Sequence, residues 1–208
     1  FLPPHALKDV GQSIFAVSFF LSNLFFYIEA DYFNNTADMA PLLHTWSLAV
    51  EEQFYIAFPF LLIAIKNTKK ITQMLIISCL LVLSLLASEL ILKINQSFSF
   101  FMVFTRFWEL AIGSLLAIIA LNSNKLKPKF YTELLSAVGI FLILYAVFTY
   151  TKETPFPGFN ALMPTIGTSL IILFATKKTI VGLVLSFKPF VWIGLLSYSL
   201  YLSHNAIF

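Results

Sequence analysis

The sequence predicts an all-α membrane protein, a polytopic bundle of transmembrane helices, and three observations indicate it. Apolar residues make up 59% of the 208 residues, whereas charged residues make up only 11%. Soluble domains carry roughly 25% charged residues, so lipid must be the solvent for much of this surface. The apolar residues also lie in long runs that lack the alternation of barrel strands. Because backbone in lipid must satisfy its own hydrogen bonds, these runs predict helices.

Seven apolar runs follow one another along the chain, and we expect about seven membrane spans. A spanning helix needs roughly 20 mostly apolar residues. The runs cover about 12–29, 44–65, 71–92, 100–121, 130–150, 163–176 and 190–208. The segment 179–189 is too short to span and contains a Lys-Pro pair, which predicts a stretch along the cytoplasmic face.

The lysines predict the orientation of the bundle. If seven spans alternate, ten lysines fall on one side, which the positive-inside rule makes cytoplasmic. These are Lys8, Lys66, Lys69, Lys70, Lys125, Lys127, Lys129, Lys177, Lys178 and Lys188. Because they lie in short loops, the net charge of +3 reflects topology. We therefore expect membrane lipid around the chain and no nucleic-acid partner.

Both ends of the sequence indicate a piece of a longer protein. The chain opens with FLPPHALKD, which has neither a starting Met nor a basic signal segment, and it closes inside an apolar run. The single Cys79 excludes a disulfide within the chain. No metal site is predicted.

The strongest cluster of costly polar groups opens the second run, in LLHTWSLAVEEQFYIAFP. Ionisable side chains inside a bilayer are functional candidates by default. Helical geometry places His44, Ser47, Glu51 and Tyr55 on one face, with Glu52 beside it. Such a line of groups would guide a hydroxyl acceptor or move a proton. The alternative, a structural polar network that joins helices, stays open at this point.

Two further features carry ionisable groups into apolar runs. In TRFWELAIG, Arg106 and Glu109 are neighbours on one helix surface. Arg106 either forms a purely structural buried pair with Glu109, or meets a phosphate or a developing oxyanion, or acts as counter-ion to Glu51 or Glu52. For Glu109 a structural or electrostatic role is favoured. His204, in SYSLYLSHNAIF, either contacts substrate or hydrogen-bonds a neighbouring helix.

These segments, in this order, resemble the acyltransferase family 3 membrane proteins of bacteria. HTWSLAVEEQFY alone is a highly specific motif, and SFFLSNLFFYIEADYF precedes it as in the family. The resemblance covers nearly the whole chain and rests on residues 42–59, 104–117, 154–171 and 192–204. The closing motif departs from the family pattern, because Ser203 and Asn205 stand where the family usually has tryptophans.

The resemblance implies that residues 1–208 are part of a domain of roughly ten helices in the bacterial inner membrane. Such proteins pass an acyl group, typically acetyl, from cytoplasmic acyl-CoA to a sugar hydroxyl, without a metal. Acceptors in the family include O-antigen, peptidoglycan and exopolysaccharide. Members whose motif looks most like this one carry a periplasmic SGNH-type domain after the membrane part.

The family's usual catalytic histidine would lie before Phe1, so we expect this piece alone to be inactive. The resemblance leads to a hypothesis in which Glu51 or Glu52 orients that histidine, Arg106 neutralises donor charge and His44 lies near the acceptor entry. Substrate contacts are expected from Ser47, Tyr55, Glu109 and His204. A transporter is the competing class, because transporters also carry charges near the midplane.

Overall fold

The structure is a computed structural model that describes residues 4–29, 42–122, 130–151 and 153–207. In these ranges helices are the only regular secondary structure and no strand occurs, which confirms the predicted class. The helices are α1 (Pro4–Ser18), α2 (Ser22–Glu29), α3 (Thr45–Ile65), α4 (Lys70–Leu92), α5 (Gln96–Phe101), α6 (Val103–Asn122), α7 (Phe130–Thr149), α8 (Leu162–Phe174), α9 (Ile180–Leu185) and α10 (Lys188–Ile207).

Four stretches of the described chain are long and apolar enough to cross a membrane. They are Thr45–Ile65, Lys70–Leu92, Gln96–Leu121 and Phe130–Thr149, and a shorter apolar stretch covers Phe159–Phe174. These helices support a multi-pass membrane protein. The predicted count of about seven spans is not confirmed.

The first predicted span is not one helix, which corrects the sequence interpretation of residues 12–29. α1 ends at Ser18 and α2 begins at Ser22, and between them Phe20 adopts a left-handed backbone with φ of 57°. Neither proline nor glycine occupies the break. Local backbone bonds from Phe20 N to Val17 O and from Leu21 N to Ala16 O close the end of α1, and Gln53 Nε2 adds a tertiary bond to the Phe20 carbonyl at 2.7 Å. A carbonyl released from a helix needs such a partner in lipid.

A second break separates α5 from α6 inside the fourth apolar run, where Met102 is extended. Five carbonyl groups at this break accept hydrogen bonds from side chains. The donors are Thr105 Oγ1 to Ser99 O and Met102 O, Arg106 Nε to Phe100 O, Asn23 Nδ2 to Phe101 O, and Ser84 Oγ to Phe104 O, all at 2.5–3.1 Å. The polar residues of the apolar runs thus make a discontinuous helix compatible with lipid depth.

Backbone approach at two glycines brings α7 and α8 together. A Cβ atom on Gly139 would lie 2.7 Å from the Gly167 carbonyl oxygen, and a Cβ on Gly167 would lie 2.7 Å from the Gly139 carbonyl oxygen. Only glycine permits helices this close, and small residues at helix contacts are typical of membrane bundles. This contact fixes α8, which carries one wall of a groove described below.

Contacts between helix ends agree with the predicted alternation of sides. Asn95 Nδ2, after α4, lies 3.5 Å from Tyr27 Oη, near the end of α2. At the opposite side, the Ile180 amide donates to Glu133 Oε1 at 2.8 Å. Each pair joins ends that the lysine pattern assigns to one side of the membrane. The placement of α9 along the cytoplasmic face stays a prediction.

Candidate active site

Three of the predicted site residues meet where α3 begins and α10 ends. The Tyr201 hydroxyl donates to the His44 carbonyl and lies 2.5 Å from Ser47 Oγ. The rings of His44 and His204 meet in an edge-to-face arrangement with centroids 4.8 Å apart, and His204 Nδ1 lies 2.6 Å from the Tyr201 carbonyl oxygen. The structure therefore brings His44, Ser47 and His204 together, and it adds Tyr201, whose hydroxyl joins the two helices. We call these four residues the α3–α10 cluster.

His44 lies just outside the membrane-spanning segment, immediately before Thr45. Burial lowers the pKa of the His44 imidazole, and the charge of His204 lowers this pKa further. A hydrogen bond with the backbone of Leu202 acts in the opposite direction. The net effect favours a neutral imidazole near pH 7, which is the form that accepts a proton from a hydroxyl group.

Glu51 and Glu52 lie deeper on α3 and are half-buried. Within the described part of the chain, neither carboxylate has a hydrogen bond or an ion pair with another side chain. Tyr55, one turn further, is 54% exposed, so the structure does not enclose it with the other predicted residues. Because a carboxylate without a partner is costly at membrane depth, the two glutamates remain candidates for a role in chemistry.

Arg106 is buried, and its hydrogen-bonding groups are directed to specific partners. Nη1 binds both carboxylate oxygens of Glu109, at 3.0 and 3.2 Å, and Nε donates to the Phe100 carbonyl at 3.0 Å. The observed counter-ion is therefore Glu109, and the alternative pairing with Glu51 or Glu52 is not what the structure shows. The favoured electrostatic role of Glu109 agrees with this geometry.

Three aromatic rings surround the guanidinium of Arg106. Its Cζ lies 5.0 Å from the Trp46 ring, 4.8 Å from the Phe100 ring and 5.4 Å from the Phe156 ring. Cation–π attraction of this kind strengthens when water is excluded. We call Arg106, Glu109 and these rings the arginine cage. Trp46, Phe100 and Phe156 were not predicted as site residues, although each lies within or close to a segment that the sequence singled out.

The loop before α8 places Phe156 in the cage. The Gly158 amide donates to Ser88 Oγ at 3.2 Å, and the Phe159 amide donates to Glu89 Oε2 at 3.1 Å. Gly158 has φ of 44°, and a Cβ atom there would lie 2.6 Å from Glu89 Oε2. The positive φ therefore favours glycine at this position, and a Cβ would also require the Glu89 side chain to shift.

Sequence reasoning also missed a pair of amides that joins the two helix breaks. Gln53 Nε2 donates to Asn23 Oδ1 at 2.9 Å, and Asn23 Nδ2 lies 3.4 Å from Gln53 Oε1. Asn23 is 1% exposed. The available signal was an amide inside each of the first two apolar runs, where an unsatisfied polar group is expensive. Among the described residues, no group of three His, Cys, Asp or Glu side chains is placed to hold a metal ion.

Comparison with known proteins bears on what this arrangement does. The acyltransferase family 3 model, described as an acyltransferase domain, matches residues 12–208. An uncharacterized protein of Haemophilus influenzae is 34% identical over 170 residues, which cover 77% of this chain and 69% of that protein. No solved structure matches the chain.

Two named relatives align with essentially the whole chain. The peptidoglycan O-acetyltransferase OatA of Listeria monocytogenes is 30% identical over 220 residues, which cover 100% of this chain and 35% of that protein. The O-acetyltransferase OatA of Staphylococcus aureus is 32% identical over 217 residues, which cover 98% of this chain and 36% of that protein. The chain thus spans about a third of the length of these two relatives. On the family match and these identities, the chain belongs to acyltransferase family 3.

Proposed function

We propose that this chain forms membrane helices of an O-acyltransferase that moves an acyl group, in the first place acetyl, onto a hydroxyl of a cell-surface glycan. The observation that carries the proposal is the similarity to O-acetyltransferases along essentially the whole chain. The name of the Listeria relative favours peptidoglycan as acceptor, ahead of O-antigen and exopolysaccharide. The donor is cytoplasmic acyl-CoA, and the enzyme lies in the bacterial inner membrane.

The reaction defines what the side chains must supply. The acceptor hydroxyl oxygen bonds to the thioester carbonyl carbon, the carbon–sulfur bond breaks, and the hydroxyl proton ends on the leaving thiolate. A base must therefore take and deliver a proton, and a positive group must stabilise the carbonyl oxygen as charge develops on it. Both kinds of group are present in the described chain.

The arginine cage suits the electrostatic task. Nε and Nη1 of Arg106 are used by Phe100 O and Glu109, and within the described chain Nη2 has no hydrogen-bond partner. A guanidinium held in place by three rings requires little reorganisation when charge develops beside it. We assign to Arg106 the stabilisation of the donor's carbonyl or phosphate oxygens.

The α3–α10 cluster suits the acceptor. The neutral imidazole of His44 and the hydroxyl of Ser47 lie at the end of α3 that the lysine pattern assigns to the extracytoplasmic side, where the glycan arrives. Glu51 and Glu52 continue along the same helix toward the membrane interior. We assign to one of them the orientation of the family's catalytic histidine, which is expected before Phe1 and is distinct from His44. Tyr55 and His204 complete the set of expected substrate contacts.

A direct test uses the full-length protein with Glu51→Gln, Glu52→Gln and Arg106→Gln made singly. Membrane vesicles with matched amounts of each variant receive labelled acetyl-CoA, and mass spectrometry measures acetyl groups on the isolated glycan. We expect at least one glutamate variant and the arginine variant to lose most of the transfer. Full glycan acetylation in all three would overturn these roles.

A deletion strain separates the enzyme from a transporter. Loss of the acyl mass from the surface glycan supports the acyltransferase. A glycan mass that is unchanged from the wild type, together with altered substrate uptake, supports transport. The same strain tests the proposed SGNH-type domain, since a gene truncated after the membrane part would restore acetylation only if that domain were dispensable.

A further inference from the structure

A groove of about 280 Å³ runs between α6 and α8, beside the arginine cage. One face of each helix lines it, with residues spaced by about one helical turn. The lining residues are Glu109, Ile112, Gly113 and Leu116 on α6, and Pro164, Thr165, Thr168, Ser169 and Ile172 on α8. The carboxylate that pairs with Arg106 therefore also lies in the wall of this groove.

The groove leads away from the cage in one direction along the helices. It extends from Glu109 to Leu116 on α6, which is roughly 10 Å at 1.5 Å per residue. The carboxyl-terminal ends of α6 and α8 precede lysine-rich segments, which the positive-inside rule places at the cytoplasm. The groove thus extends from the Arg106–Glu109 pair toward the side on which a coenzyme A thioester is available.

The chemistry of the lining favours a narrow chain with amide groups. Most of the wall is apolar, but three hydroxyls interrupt it on α8. Thr165, Thr168 and Ser169 each donate to the carbonyl four residues earlier, at 2.7–2.8 Å. Because their hydrogens are committed, these hydroxyl oxygens are available only as acceptors, for which an N–H donor is the complementary group.

The size of the groove limits what it holds. Pockets for drug-sized ligands begin at roughly 300 Å³, so a volume of about 280 Å³ accepts a linear segment and excludes a whole nucleotide-bearing coenzyme. At Gly113 no heavy atom lies within 4 Å of the position a Cβ would take. Open space for a side chain therefore exists about one turn from Glu109.

We propose that this groove holds the pantetheine arm of the acyl donor, with the thioester carbonyl at the Arg106–Glu109 end and the nucleotide at the cytoplasmic end. The amide N–H groups of the arm donate to the hydroxyl oxygens of α8, and its methylene groups contact the apolar wall. The inference rests on the proposed function, because it assigns a place to that function's donor. A bilayer lipid chain is the competing occupant.

The first experiment fills the groove without disturbing a neighbour. Gly113→Leu places a side chain in the open space, and Gly194→Leu on α10 is the matched control, since its Cβ also meets no heavy atom within 4 Å. In the full-length protein we expect the KM for acetyl-CoA to rise at least about tenfold in Gly113→Leu, with the acceptor KM unchanged. Gly194→Leu should match the wild type.

A donor KM within twofold of the wild type in Gly113→Leu would overturn the proposal. If instead wild-type protein in vesicles transfers no acetyl from acetyl-CoA, the proposed function itself fails, so the two failures are distinct.

A second measurement does not depend on turnover. Gly113→Cys is introduced where Cys79 and any other cysteine are serine, and a methanethiosulfonate reagent labels the new thiol in vesicles. A thioether analogue of acetyl-CoA, which cannot transfer its acyl group, should slow labelling at least about fivefold. Labelling that the analogue leaves unchanged, while added phosphatidylglycerol slows it, would identify a lipid chain as occupant and overturn the proposal.

Discussion

The arginine cage and the α3–α10 cluster are built in opposite ways. Arg106 is 9% exposed, and its side chain bonds the Phe100 carbonyl and the Glu109 carboxylate. Three aromatic rings, from α3, α5 and the loop before α8, surround its guanidinium. The α3–α10 cluster depends on a helix whose apolar side chains are largely exposed, as Trp192 at 66% and Leu195 at 75% illustrate. The Tyr201 hydroxyl contacts Ser47 and the His44 carbonyl, and His44 also has a hydrogen bond with the Leu202 backbone.

This difference indicates which of the two regions suits the acyl donor and which suits the glycan acceptor. A charge fixed from several sides is preorganised, and such groups stabilise a transition state without moving. The α3–α10 cluster lies at the end of α3 that the lysine pattern assigns to the extracytoplasmic side, where a glycan acceptor would arrive. We therefore associate the cage with the donor and the cluster with the glycan.

The largest expected effect comes from breaking the cage at its ion pair. Arg106→Gln leaves the Glu109 carboxylate without its counter-ion, and breaking a buried pair on one side costs about 3 kcal/mol or more. We expect transfer to be lost and the unfolding temperature in detergent to fall. Thermal unfolding and expression-normalised acetyl transfer measure the two effects separately.

The double variant Arg106→Gln with Glu109→Gln is the control, because it removes both charges. We expect it to regain much of the stability while activity stays lost. Recovery of both stability and activity would show that Arg106 only joins helices, and the comparison between a catalytic cage and an acceptor cluster would collapse.

The next effect tests the α3–α10 cluster through the hydroxyl of Tyr201. Tyr201→Phe keeps the ring but removes the bonds to Ser47 and the His44 carbonyl. Since a hydrogen bond contributes about 1 kcal/mol net, we expect little change in unfolding but a rise of several-fold in the acceptor KM. Ser203→Ala on the same helix is the control, since Ser203 Oγ bonds only the Ser199 carbonyl. A change in the donor KM alone would contradict the assignment.

A smaller effect is expected when the loop of the cage is loosened. Gly158→Ala adds a Cβ within 2.6 Å of Glu89 Oε2 at a φ of 44°, which strains the loop backbone, and we expect Phe156 to shift relative to Arg106. We expect the transfer rate to fall several-fold while the ion pair persists. Lys93→Met removes the ion pair with Glu89 but leaves the Phe159 amide its acceptor, and it should retain the wild-type rate. An equal loss of transfer rate in Gly158→Ala and Lys93→Met would contradict a specific role of Phe156 in the arginine cage.

Local sequence patterns identified the helices and the costly polar residues but not the two helix breaks. Pro59 lies inside α3 without ending it, whereas the breaks at Phe20 and Met102 contain neither proline nor glycine. Thr105 and Arg106 contribute local bonds at the second break. Gln53, Asn23 and Ser84 contribute the other bonds from distant elements, and no window of local sequence contains both partners of those pairs. The apolar runs therefore predicted helices correctly, but they did not predict that two of those helices are interrupted.

The same limit applies to the site. Spacing correctly placed His44 and Ser47 together at the start of α3, but their partner Tyr201 comes from 154 residues away. The ion pair of Arg106 with Glu109 was predictable, because its members are three residues apart on one helix. The aromatic cage was not, because each ring comes from a different element. Local contacts were predicted, and contacts between elements required the fold.

The smallest expected effect concerns pH and separates the two regions most cleanly. The pKa of His44 is lowered by burial and, in addition, by the charge of His204. His204→Asn removes that second cause, so the pKa of His44 should rise toward its ordinary value. If transfer needs neutral His44, the acidic limb of the rate profile must move to higher pH, since the imidazole gains its proton sooner as pH falls. Gly194→Leu should leave the profile in place. An unmoved limb in His204→Asn, with activity retained, would remove His44 from proton transfer and leave the α3–α10 cluster as a binding contact only.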